Sequence, residues 1–129
     1  MFFLRVMISR KRSKRKSSGG LYKVSSKKKK SELGSVPTTT KLGEVKRRLS
    51  RVLGGNIKVR NIQTNVINLF DGKKYVKATI KNVVGNAANK NFIRQNILTK
   101  GAIVETDKGK AQITSRPGQT GSINGILVK

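Results

Sequence analysis

The stretch Asn96-Ile-Leu-Thr-Lys-Gly-Ala102-Ile-Val-Glu-Thr106-Asp-Lys-Gly-Lys110-Ala-Gln-Ile-Thr-Ser115-Arg-Pro-Gly-Gln-Thr-Gly121-Ser-Ile-Asn-Gly-Ile-Leu-Val128 decides the fold class. Short runs rich in β-branched residues alternate with turn residues, the pattern of an antiparallel meander. Asp107-Lys108-Gly109 suits a three-residue hairpin loop, with Gly109 free to take positive φ. Pro117 presets φ, and Gly118 and Gly121 are expected to permit the next reversal. In the last run Ile123 and Leu127 point one way, Ile126 and Val128 the other. Apolar residues on both faces suit a strand at a barrel seam, or one partly covered by a partner.

Working outward, Val66–Phe70, the turn at Asp71-Gly72 and Lys74–Lys81 make the strongest local hairpin signal of the chain. Val76, Ala78 and Ile80 are expected to face the core, with Lys77, Thr79 and Lys81 outside. Ile57 and Val59 alternate with Lys58 and Arg60, predicting a further strand over Ile57–Ile62. Residues 85–91 break the β pattern, and Phe92, Ile93 and Ile97 then allow one or two helical turns, with Asn86 or Asn89 as N-cap. Val45, Leu49, Val52 and Leu53 fit a helical period as well as an extended one, up to the stop at Gly54-Gly55. Counting the closing meander, six strands joined mostly by tight turns predict an all-β fold: a small closed antiparallel barrel over residues 41–129, with one short helix.

Residues 1–40 are of another kind. The chain has 129 residues and a formal net charge of +25, from 30 Lys and Arg against 5 acids. Residues 1–60 carry 19 of these cations and 2 acids, residues 61–129 the other 11 with 3 acids, so the excess lies mainly in the first half. Between residues 9 and 40 only Leu21, Tyr22, Val24, Leu33 and Val36 are sizeable apolar groups. That is too little burial to offset the entropy of ordering the segment. Residues 1–40 are therefore expected to form a basic arm, disordered when free and extended on a polyanion. Nucleic acid is the leading partner, because phosphate backbones reward dense cations through counterion release. The competing readings are a solvated charge run or a targeting patch.

Arg10, Lys11, Arg12, Lys14, Arg15, Lys16, Lys27, Lys28, Lys29 and Lys30 are the first candidates for phosphate contact. Lys41, Arg47, Arg48, Lys58, Arg60, Lys90, Arg94, Lys100 and Arg116 follow. Lys58/Arg60 and Lys77/Lys81 are expected to carry the electropositive track onto the folded domain, the alternative being ordinary exposed strand faces. A helix starting near Asn89 would add backbone N–H donors beside Lys90, Arg94 and Lys100. Tyr22 is a candidate for base stacking, whereas Phe70 and Phe92 suit the core. Gly54-Gly55-Asn56 lacks the GxxxxGK[ST] frame of a nucleotide-binding loop and reads as a tight turn.

An enzyme is hard to assemble from this composition. There is no Cys, His or Trp, which removes disulfides, thiolate and imidazole metal sites and most nucleophilic chemistry. Glu105 and Asp107 are the one acidic pair two residues apart, with too few oxygen ligands nearby for a metal cluster. No catalytic residue, metal, cofactor or small-molecule substrate is expected. Met1-Phe-Phe-Leu4 is broken by Arg5 and is too short for a signal peptide or a membrane span, so a soluble, intracellular protein with no membrane partner is the default. A membrane-active cationic protein is disfavoured because the arm has no amphipathic helical period.

The wording itself resembles a family. Ser17-Ser-Gly-Gly20, Glu32-Leu-Gly34, Pro37-Thr-Thr-Thr-Lys-Leu-Gly43, Gly54-Gly-Asn-Ile-Lys-Val-Arg60 and Asn96-Ile-Leu-Thr-Lys-Gly-Ala-Ile-Val-Glu-Thr106 are similar to small-subunit ribosomal protein S8e, the archaeal/eukaryotic type. Gly109-Lys-Ala111 and Thr114-Ser-Arg-Pro-Gly-Gln119 extend the likeness over about Ile8–Val128. The resemblance implies a β-barrel with a basic extension threaded into small-subunit rRNA, neighbouring ribosomal proteins as further partners, and a structural role in assembly and translation. A non-ribosomal RNA chaperone or assembly factor is the alternative. The central insertion of the eukaryotic members is missing, which points to the compact archaeal form. Asn86-Ala-Ala-Asn89 stands where the family usually has Asn-Pro-Ala-Asn, predicting a looser start to the helix. The family usually begins near Met7, so Met1–Val6 is expected to be surplus, with translation starting at Met7; the intact mass of native protein decides this.

Overall fold

The structure, a computed structural model, describes residues 8, 10, 12–23, 27 and 29–128. Met1–Val6 and Met7, on which the expected start rests, lie outside the described residues. The chain divides into two compact units, with the boundary between Pro37 and Thr38.

Among the described residues the second unit holds nine strands, a short α-helix and a 3-10 turn at Leu53–Gly55: β1 (Thr40–Lys41), β2 (Lys46–Arg51), β3 (Ile57–Gln63), β4 (Val66–Phe70), β5 (Tyr75–Gly85), α1 (Asn91–Arg94), β6 (Ile97–Leu98), β7 (Ile103–Thr106), β8 (Gly109–Ile113) and β9 (Asn124–Leu127). Five of them close a barrel in the order β4-β5-β7-β8-β9. Four of its seams are antiparallel, and it closes through a parallel pairing of β4 with β9, Leu69 opposite Gly125. The barrel is thus one strand smaller than expected. The strand expected over Ile57–Ile62 does form, as β3, but it belongs to a second sheet of order β2-β3-β1-β6. The reason is local: Gly54 and Gly55 take φ of +74° and +75°, a left-handed pair that folds β2 straight back on β3. The pairing so gained, from Arg47 opposite Asn61 to Arg51 opposite Ile57, overrides the helical period of residues 45–53.

Alternation decides the inside of the barrel. Ile67 and Leu69 of β4, Ala78, Ile80 and Val83 of β5, Val104, Ala111 and Ile113, with Leu98, Ala102 and Ile123, form one buried cluster that Leu42 and Leu127 pack against. Lys77, Thr79 and Lys81 are exposed, as expected of the outer face. Ile126 and Val128 are also exposed, so β9 buries one face. Pairing in β7–β8 runs to Thr106 opposite Gly109, leaving a two-residue loop, Asp107-Lys108, one residue shorter than expected. Gly109 has the expected positive φ.

The Arg116–Gly121 loop joins the two sheets. The Asn61 N–H donates to the Pro117 carbonyl at 3.0 Å, and Asn61 Nδ2 donates to the Thr120 carbonyl at 3.4 Å. Lys58 Nζ donates to Gln119 Oε1 at 2.9 Å. Neither Gly118 nor Gly121 has positive φ, so conformational freedom is not their role. A Cβ on Gly121 would lie 2.8 Å from Val59 Cγ1, and one on Gly118 would lie 3.3 Å from Thr38 Cβ. They are small because the loop lies against β3 and the segment leading to β1.

The first unit holds little regular structure. Tyr22 N–H donates to the Lys14 carbonyl and Lys16 N–H to the Gly20 carbonyl, closing a small turn in which Arg15 bridges Leu21 and Gly19 has positive φ. Farther out the chain returns on itself, Arg10 N–H donating to the Glu32 carbonyl at 2.9 Å and Gly34 N–H to the Ile8 carbonyl at 2.7 Å.

Candidate nucleic-acid interface

The cations of the first unit stand on its surface. Arg10, Arg12, Lys14, Arg15, Lys16, Lys27, Lys29 and Lys30 are all exposed; Lys11 and Lys28 lie outside the described residues. Within the small turn, Arg15 Nη1 donates to the Gly19 carbonyl at 2.9 Å. The Arg12 guanidinium lies 3.8 Å from the centre of the Tyr22 ring, with Lys16 Nζ at 5.6 Å. Tyr22 thus gathers two cations by attraction to its ring face, a contact that spacing in the sequence did not suggest. Ser17, Ser18 and Gly19 close the turn without bulk.

In the second unit the cations concentrate on β2 and β3. Residues 45–70 contain six Lys or Arg and no Asp or Glu. Arg48 lies directly opposite Arg60 and Ser50 opposite Lys58, so Arg48, Arg60 and Lys58 share one face by the period of two. Like charges opposite one another destabilise a sheet, and here no acid on either strand relieves them. Arg60 is half-buried, and its Nε has no hydrogen-bond partner among the described residues. Lys46 and Arg51, which lay in the segment open to either helix or strand, fall on the same hairpin. The acid-free run from residue 45 to 70 was the signal that could have picked them out.

Elsewhere the candidates are dispersed. Lys41 is exposed on β1, and Arg116 is exposed at the start of the loop against β3. Lys77 and Lys81 are on the barrel strand β5, whereas Lys58 and Arg60 are on β3 of the other sheet, so the four do not form one strand-face stripe. Lys90, Arg94 and Lys100 are exposed around α1. This helix has only four residues, and its first N–H groups are already engaged: Asn91 N–H by Asn89 Oδ1, Phe92 N–H by the Asn89 carbonyl and Ile93 N–H by the Lys90 carbonyl. It offers no free N-terminal donors there. The N-cap position is Lys90, not Asn86 or Asn89. Asn86 instead clasps Thr99 with both ends of its amide, at 2.9 and 3.2 Å, and its Oδ1 accepts the Ala88 N–H.

Among the described residues no group of three or more His, Cys, Asp or Glu gathers to hold a metal ion, and no helix is long and apolar enough to cross a membrane. Asp107 Oδ1 accepts the Thr79 N–H at 3.2 Å, tying the β7–β8 turn to the neighbouring strand.

The family model of ribosomal protein S8e matches residues 9–128. The chain belongs to the ribosomal protein S8e family. It is 51% identical over 119 residues to the small ribosomal subunit protein eS8 of Methanococcus aeolicus, covering 90% of this chain and 93% of that one. It is 47% identical over 118 residues to eS8 of Haloarcula marismortui, covering 92% and 96%. It is 46% identical over 125 residues to eS8 of Methanocorpusculum labreanum, covering 95% of this chain and all of the relative. These S8e relatives are archaeal, in agreement with the compact form expected from the missing insertion. The S8e match spans both units, so the basic arm, the β2–β3 hairpin and the barrel all belong to the family's shared length.

Proposed function

We propose that this S8e chain is a structural constituent of the small ribosomal subunit. It binds rRNA through its basic arm and its β-barrel domain, supports subunit assembly and translation, and performs no catalysis. The observation that carries this reading is the 46–51% identity, over nine-tenths or more of the chain, to proteins named as small ribosomal subunit proteins. The charge supports it: a net +25 in 129 residues repels itself unless a polyanion neutralises it. On this reading the arm, residues 1–40, orders on the RNA, and the barrel domain, residues 41–129, presents a rigid surface. Arg10, Lys11, Arg12, Lys14, Arg15, Lys16 and Lys27–Lys30 contact phosphates, with Arg47, Arg48, Lys58, Arg60, Arg94, Lys100 and Arg116 extending the footprint. Neighbouring ribosomal proteins are the remaining partners, and the site of action is the cytoplasmic ribosome.

The test is quantitative mass spectrometry across a sucrose gradient of native lysate, before and after a high-salt wash. Near one copy per mature small subunit, retained after the wash, is expected. Substoichiometric signal confined to precursor particles would replace this reading with an assembly factor or RNA chaperone.

A further inference from the structure

The β2–β3 hairpin exposes apolar side chains where a soluble surface would normally be polar. Leu53 is 96% exposed, Leu49 69% and Ile57 65%. They are not scattered: Leu49 lies opposite Val59, Ile57 is two residues from Val59 on the same face, and Leu53 sits in the connector between the strands. A contiguous exposed apolar surface of this kind marks a place of contact. The connector is also held in one shape. The Val52 N–H donates to the Asn56 carbonyl at 2.8 Å, and Asn56 Nδ2 donates back to the Leu53 carbonyl at 3.2 Å. Gly54 and Gly55, both at positive φ, keep the tip slim, and nothing lies within 4 Å of where a Cβ on Gly55 would be. Leu53 is therefore displayed from a pinned turn, so little conformational entropy remains to be lost on contact.

What covers this tip is indicated by its charge. Six cations and no acid occupy residues 45–70, and two of them, Arg47 and Arg51, lie on the face that carries Leu49 and Ile57, Arg51 directly opposite Ile57. A protein partner would need a dense acidic surface surrounding an apolar one. Folded RNA supplies both chemistries side by side: phosphates for the cations, and the face of an unpaired base or its ribose for the apolar tip.

We propose that the β2–β3 hairpin is an RNA-binding finger in its own right, in which Leu53, with Leu49 and Ile57, covers an unpaired nucleotide while Arg47 and Arg51, on the same face of the ladder as Leu49 and Ile57, hold the phosphates flanking it. This rests on the rRNA-binding reading and adds to it a contact that is apolar and therefore insensitive to salt. The two components separate in one experiment. Full-length wild type, Leu53→Ser, Leu49→Ser and the Arg47→Gln/Arg51→Gln pair are titrated with an in vitro transcript of archaeal small-subunit rRNA at several salt concentrations. Each complex is probed with dimethyl sulfate. Leu53 touches the solvent and not the core, so its replacement leaves the thermal midpoint at the wild-type value. Leu53→Ser is expected to weaken binding roughly fivefold to tenfold, because most of a leucine side chain is no longer covered. The salt slope stays that of wild type, and protection of one unpaired base is lost. Arg47→Gln/Arg51→Gln is expected to lower the magnitude of the salt slope by about two, one per phosphate contact. Wild-type affinity and an unchanged footprint for Leu53→Ser would overturn the proposal. So would wild-type RNA affinity combined with loss of the protein from assembled subunits, which would assign the tip to a protein neighbour. Absence of binding by wild type itself would instead strike at the rRNA-binding reading.

Discussion

Gly125 illustrates how tightly single positions are specified in so small a barrel. It pairs with Leu69 across the parallel closure and with Ile113 on the other side. A Cβ there would lie 2.9 Å from both the Gln112 carbonyl oxygen and Ile67 Cδ1. The carbonyl belongs to the ladder and cannot retreat without breaking it. Gly125→Ala is therefore expected to cost about 1–3 kcal/mol by overpacking, read as a lower midpoint in urea with unchanged slope. Gly121 is limited by a side chain instead, since Val59 Cγ1 would be 2.8 Å away. Gly121→Ala should destabilise the chain, and Val59→Ala in the same molecule should recover part of the loss. A double-mutant cycle showing simple additivity would remove the claim that the two residues meet there.

Among the elements, the barrel strands and the β2–β3 hairpin differ in what their apolar residues do. Ile67 is fully buried in the barrel, whereas Leu53 is 96% exposed. Ile67→Ala is expected to cost about 2–5 kcal/mol, a transfer loss plus the cavity left behind. Leu53→Ala should fall within about 0.5 kcal/mol of wild type in the same denaturation experiment. Such a contrast would separate the exposed apolar side chain at the hairpin tip from those whose burial holds the fold together. The direction of alternation in β3 was legible from the sequence, since Ile57, Val59 and Asn61 share a face. Its depth was not: burial increases along the strand from exposed Ile57 to nearly covered Asn61. That gradient comes from the Arg116–Gly121 loop, whose Pro117 and Thr120 carbonyls take the Asn61 amide groups. No local pattern in residues 57–63 could reveal a partner more than fifty residues away.

At the scale of the whole molecule the dominant quantity is charge. If roughly ten phosphates are engaged, log K for rRNA should fall by about seven to nine per tenfold rise in salt. Replacing Arg10, Arg12, Lys14, Arg15 and Lys16 together by Gln should remove about 3.5 to 4.5 from that slope, measured by titration across a salt series. A slope unchanged by the five replacements would mean that the arm does not hold phosphates. The free protein should also gain thermal stability as salt rises, because screening relieves the repulsion of a +25 chain.

The sequence by itself determined the class of fold, the strands of the meander and the inward side of β5, where Ala78 and Ile80 are buried and Val76 half-buried. These follow from an alternation of period two that each strand carries within its own few residues. It also determined the basic character of residues 1–40, since composition needs no partner to be read. Only the tertiary structure decided that β3 leaves the barrel, that five strands close it, and that Gly118 and Gly121 serve close approach and not chain reversal. Only there, too, does Arg48 come to face Arg60, and Leu53 stand at a pinned tip. Each of these depends on which strands pair and in what register, and that choice is made by residues far apart in the chain meeting in a shared ladder, where no local period records it.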